Sequence, residues 1–98
     1  MAGLDSMRAL QEFIKYYNLF DVDRISAKIA VIKNGKLIHN NILTIYIQRN
    51  SYGGWVLGVE DIKPIIKYES FNTDFQDMYF ENGILTVYSD GCEISISV

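Results

Sequence analysis

The 98-residue chain has one cysteine, Cys92, one histidine, His39, and one proline, Pro64. A single thiol excludes an internal disulfide and a multi-cysteine metal site. A single imidazole removes most hydrolytic and transition-metal chemistry, which needs several such ligands or a base beside a nucleophile. The longest uninterrupted apolar run is Ile29-Ala30-Val31-Ile32, far short of the ~20 residues that span a bilayer. Residues 1–5 lack the basic and apolar regions of a signal peptide, so a cytoplasmic location is expected. Residues 68–98 contain no lysine and no arginine.

What is present is a strongly apolar, β-branched composition. Hydrophobic residues make up 49% of the chain, and isoleucine alone occurs 14 times. That is enough apolar surface for one core, and it argues against disorder; a single domain over residues 1–98 is expected. The enrichment in Ile, Asn, Lys, Tyr and Phe is also the bias of an AT-rich coding sequence, as in low-GC bacteria and their phages.

Charge is unevenly spread although the net value is only −3. Residues 1–67 hold all nine basic residues and six acids, a net +3. Residues 68–98 hold Glu69, Asp74, Asp77, Glu81, Asp90 and Glu93, a net −6. Such asymmetry points to an interaction surface. It is equally compatible with neutralisation between neighbouring strands.

Residues 6–19 carry a helical period. Met7, Leu10, Ile14 and Tyr17, with Phe13 beside them, form one apolar stripe; Arg8, Gln11, Glu12 and Lys15 fill the opposite side. Asp5 or Ser6 is the expected N-cap, and Asp21 and Asp23 end the pattern. A helix this short needs a sheet to pack on.

From Ser26 onward the period becomes two. Asn34-Gly35 predicts a tight hairpin between strands at 28–33 and 36–39, and Asn40-Asn41 predicts a bulge or turn before a strand at 42–48. In that strand Leu43, Ile45 and Ile47 share one face; Ile42, Thr44, Tyr46 and Gln48 share the other. Residues 55–59 read as the returning strand. Pro64 would make 65–68 an edge strand, because proline cannot donate to a ladder.

The last third is the most legible. Asn82-Gly83 and Asp90-Gly91 predict two-residue turns joining strands at 77–81, 84–88 and 92–98. The implied register puts Met78, Phe80, Leu85, Val87, Ile94, Ile96 and Val98 on a core face. It puts Asp77, Tyr79, Glu81, Ile84, Thr86, Tyr88, Glu93, Ser95 and Ser97 on the other face. The expected fold is therefore α+β: an N-terminal helix on an antiparallel sheet of about five to six strands ending in a three-stranded meander.

Catalytic constellations are thin. Cys92 and His39 form the one conceivable nucleophile–base pair, and nothing in the sequence places them together. The acid pairs Asp21/Asp23, Glu60/Asp61 and Asp74/Asp77 suit turns better than a cleft. Asp21-Val22-Asp23 opens like a calcium loop, but the later ligand positions fall on Ile25 and Ile32. Gly53-Gly54 through Gly58 precedes no lysine–serine pair, so it is no phosphate loop. Lys28, Lys33, Lys36, Arg49 and Lys63 with Tyr46, Tyr52 and Trp55 could form a nucleic-acid strip; a pI near 4.9 argues against it.

What remains is the outward face of the meander. Tyrosines offer large contact area with a polar tip, and acids on a rigid sheet attract a basic partner. Asp77, Tyr79, Glu81, Ile84, Thr86, Tyr88 and Glu93 are thus the expected partner-binding residues of a non-enzymatic domain. Its expected role is that of a small acidic inhibitor, of phage or mobile-element type, occupying a basic protein surface. No cofactor, metal, nucleic acid or membrane is called for. Two alternatives follow: self-assembly through a sheet edge, at 92–98 or 65–68, giving a homodimer, and a small enzyme using His39 or Cys92.

Overall fold

The computed structural model describes residues 4–19, 24–49, 54–60 and 70–98. One helix, α1 (Leu4–Tyr17), precedes seven strands: β1 (Ile25–Lys33), β2 (Lys36–Arg49), β3 (Trp55–Glu60), β4 (Ser70–Asn72), β5 (Asp77–Glu81), β6 (Ile84–Ser89) and β7 (Cys92–Ser97). The strands form one antiparallel sheet in the order β4-β3-β2-β1-β7-β6-β5. The sheet has seven strands, not five to six. The short β4 gives too little alternation to be read from sequence.

Strands β4 and β5 are the two edges of this sheet, yet residues 73–76 alone connect them. The five Cα steps from Asn72 to Asp77 reach at most about 18 Å, well short of the roughly 29 Å across seven flat strands. The sheet must therefore curl until its edges approach one another. The connecting turn is bonded on both sides. Thr73 N–H donates to Trp55 O (2.9 Å) and Thr73 Oγ1 accepts from Trp55 N–H (2.9 Å), while Gln76 O accepts from Ser6 Oγ (2.8 Å).

The helix stripe reads as expected: Leu10, Phe13 and Ile14 are buried, with Tyr17 packed against the core. Its C-terminus ends in a left-handed Asn18 (φ 56°), and Leu19 N–H bonds Ile14 O at 2.9 Å. This six-to-one bond with two core side chains closes the last turn. The N-terminus differs from expectation. The helix begins at Leu4, so Ser6 lies in its first turn rather than capping it. Its buried hydroxyl bonds across to Gln76 O and accepts from Met78 N–H (3.0 Å). The Met78 amide points away from β6, so Ser6 covers part of the exposed edge of β5, where an unpaired strand would otherwise invite association.

All three two-residue turns carry positive φ at both positions: Asn34/Gly35, Asn82/Gly83 and Asp90/Gly91. Such turns match the right-handed twist of the strands they join, which fixes the register. The pairs Glu81↔Ile84, Phe80↔Leu85, Met78↔Val87, Tyr88↔Glu93, Val87↔Ile94, Thr86↔Ser95 and Leu85↔Ile96 are those the turns imply. Leu85, Val87, Ile94 and Ile96 are fully buried with Ile29, Val31, Ile45, Leu57 and Phe71.

Three expectations are corrected. Asn40-Asn41 neither turn nor bulge. Strand β2 runs through them, paired to Ala30 and Ile29, and the irregularity falls between Val31 and Ile32, leaving Ile38 as the extra residue. Residues 92–98 are no edge, because β7 lies between β1 and β6. Val98 is 40% exposed and not core, because it lies beyond the last ladder pair. Asp21, Asp23, Tyr52, Asp61, Lys63, Pro64 and the possible strand at 65–68 lie outside the described residues.

Candidate functional site

The curl gives the sheet an inner face, filled by the core and α1, and a convex outer face. The register aligns the outer side chains of five strands in rows. One row runs Leu37, Ile32, Glu93, Tyr88, Asp77; the next runs Asn40, Ala30, Ser95, Thr86, Tyr79. A third contains Ile42, Lys28 and Ser97, with Ile84 and Glu81 paired beside it. Over β5, β6 and β7 the outer face carries no lysine or arginine. Lys28, on β1, is the nearest cation in these rows.

Tyr79 and Tyr88 meet on this face with ring centroids 5.7 Å apart and planes 32° off parallel. The Tyr88 hydroxyl lies 2.9 Å from the Tyr79 hydroxyl and 3.2 Å from Glu93 Oε1, a three-centre arrangement in which Tyr88 donates. The bond to Tyr79, partial burial and the nearby Glu93 carboxylate all hold the Tyr88 phenol well above its ordinary pKa of 10.0. Tyr79, Ile84 and Tyr88 are 46%, 43% and 39% exposed, so their apolar surface faces solvent and not α1. Asp77 and Glu81 are exposed and Glu93 half-buried. Thr86 differs: it faces outward by register but is buried between its neighbours, so it supports the face and offers no contact area.

At one end of the face lies a shallow open hollow of about 470 Å³, between the Asn34-Gly35 and Asp90-Gly91 turns. Tyr88 and Glu93 line it together with Ile32, Gly35 and Gly91. No local sequence pattern marks this hollow, because it depends on β1 lying beside β7.

The raised Tyr88 pKa has a testable consequence. A group that ionises less readily in the folded chain favours folding while it is protonated. This contribution is complete below about pH 10, the unfolded value, and is lost as pH rises through the higher folded value. An NMR titration of the Tyr88 ring should show ionisation well above the ordinary value, and Tyr79→Phe should bring it back toward it. A Tyr88 that ionises at the ordinary phenol value would contradict the hydrogen-bond assignment.

The alternative chemistry is not assembled. His39 is on β2 and Cys92 on β7, with β1 between them and different pairing positions along it. Cys92 is 4% exposed and faces the core. The His39 Nε2 and Trp55 Nε1 atoms are buried without a hydrogen-bond partner. Among the described residues, no group of three or more His, Cys, Asp or Glu could hold a metal. No helix among them is long and apolar enough to cross a membrane. Of the aromatics proposed for nucleic acid, Tyr46 lies beneath the Arg24 guanidinium (5.5 Å) and Trp55 beneath that of Arg49 (4.7 Å). The chain's own cations cover these rings.

The chain matches no family model, no curated protein and no solved structure.

Proposed function

We propose that this chain is a non-enzymatic protein-binding domain whose convex β5–β7 face occupies a basic surface of a larger protein. The supporting observation is the Tyr79–Tyr88 pair: two exposed aromatic rings on a rigid sheet, with Asp77, Glu81, Ile84 and Glu93 on the same face and no cation over these three strands. Lysine on exposed strands is a common means of discouraging association. A face without it, holding aromatic area among carboxylates, suits a partner of opposite charge. Convexity suits a cleft. Blocking such a cleft is the action of a small acidic inhibitor of the phage or mobile-element type, and a cytoplasmic target fits this role.

Affinity capture from the native host supplies the partner. The combined variant Tyr79→Ser, Tyr88→Ser, Glu81→Lys, Glu93→Lys should then bind it at least about 100-fold more weakly, since central aromatic and charged contacts carry most of an interface's energy. Unchanged binding by a folded variant would show that the wrong face has been chosen.

A second reading is self-assembly through β2. Among the described residues, positions 36–43 pair with β1 alone, because β3 joins only from Thr44. Leu37, Ile38 and Ile42 are 55–61% exposed there. Light scattering at high concentration decides: a strict monomer removes this reading.

A further inference from the structure

We propose that the β5–β7 face recognises an arginine side chain of the partner, its guanidinium stacked on the Tyr79–Tyr88 pair and held by the Glu93 carboxylate, with Glu81 adding negative potential further along β5. This rests on the protein-binding reading above and names the chemical group that the face receives.

The outer surface of the sheet has aromatic side chains on both flanks. It carries two kinds of aromatic site. On the β2–β3 flank, Tyr46 lies beneath Arg24 of the chain itself, with the guanidinium 5.5 Å from the ring centroid. On the β5–β7 flank, the tyrosine pair has carboxylates around it instead. Glu93 is the direct cross-strand neighbour of Tyr88, and Glu81 lies two residues beyond Tyr79 on the same face, about 7 Å along the strand. The second site therefore has ring faces and negative charge, with no lysine or arginine on its three strands. Charge complementarity assigns it a cation from outside.

Arginine fits better than lysine for three reasons. Its planar guanidinium stacks on aromatic rings, and the tyrosines offer two ring surfaces only 32° from parallel. Its fork of N–H donors can reach a carboxylate with two parallel bonds while it stacks. It is more weakly hydrated than an ammonium, so it leaves water at less cost for a half-exposed site. The open hollow beside Tyr88 and Glu93 gives the aliphatic stem a place to lie, against Ile32 and the backbone of Gly35 and Gly91.

The test uses the intact chain and three short, otherwise identical capped glycine peptides with a central arginine, lysine or citrulline. Ring-proton shifts of Tyr79 and Tyr88 are followed by NMR. The arginine peptide should shift both rings saturably, with a millimolar dissociation constant. The lysine peptide should bind at least about 5-fold more weakly, and the neutral citrulline peptide should not saturate. Glu93→Gln should weaken arginine binding by about 5-fold, with a thermal melt confirming its fold. No saturable shift with arginine overturns the proposal. Equal response to lysine also overturns it, because the face would then read charge alone. The peptide comparison needs no variant, so a poorly folded Glu93→Gln chain does not spoil it. If the peptides fail while the four-residue variant still loses its partner, the arginine assignment falls and the protein-binding reading stands. If that variant keeps its partner, the wider reading falls.

Discussion

Replacing Ser6 with alanine is expected to remove about 3 kcal/mol of stability, and with it roughly 12–24 °C of melting temperature for a domain of this size. The Ser6 side chain is 0% exposed and serves two backbone groups 70 and 72 residues away, Gln76 O and Met78 N–H. Alanine removes the hydroxyl without admitting water. Each backbone group is then left unpaired, at about 1–3 kcal/mol apiece. Folded domains have only ~5–15 kcal/mol in total, so the loss is a large fraction. The exposed Gln11→Ala, on the same helix, should change stability by less than about 0.5 kcal/mol. Thermal melts of both variants check the difference. Equal small effects would show that Ser6 does not tether α1 to β5. The Ser6 variant should also aggregate more readily, because the Met78 amide on the β5 edge loses its cover.

The second large effect is expected at Gly58. This residue is buried in β3 and pairs with Tyr46 of β2, whose ring lies flat over it. A Cβ added at Gly58 would fall 2.0 to 2.5 Å from three ring atoms, a separation that side chains do not tolerate. Gly58→Ala must therefore expel the ring from its position, and the Arg24 stacking goes with it. A cost of about 1–3 kcal/mol follows for this overpacking. The ring is the movable end of its side chain, so the loss reflects the displaced contacts rather than a broken strand. A double-mutant cycle isolates the effect. In a Tyr46→Ala background, Gly58→Ala should cost less than half as much, and equal costs would contradict the close approach.

These two sites also show where reading the sequence stops. The meander was legible because each turn dipeptide needs positive φ at both positions, and the resulting register divides every side chain between two faces. The two turns gave the same division independently. The tyrosine–carboxylate face followed from it, including the absence of lysine. Ser6 was not legible in its actual role. A serine before a helical run has the same local signature whether it caps that helix or bonds a strand seventy residues away. Asn40-Asn41 was misread for a related reason. Asparagine favours turns by its own conformational preference, but pairing along β1 outweighs that preference here. Gly58 did leave a trace: an isolated glycine within a strand often marks a close approach, although the approaching Tyr46 could not be identified without the β2–β3 register. Thr86 was assigned to the right face with the wrong exposure, since alternation gives direction and not depth.

The most direct test of the binding surface is carboxyl footprinting of the chain, alone and in complex with its captured partner. Asp77, Glu81 and Glu93 should lose reactivity in the complex, while Asp5 and Glu12 on α1 keep theirs. Protection of the helix carboxylates with Glu81 and Glu93 left reactive would contradict the assignment of the β5–β7 face.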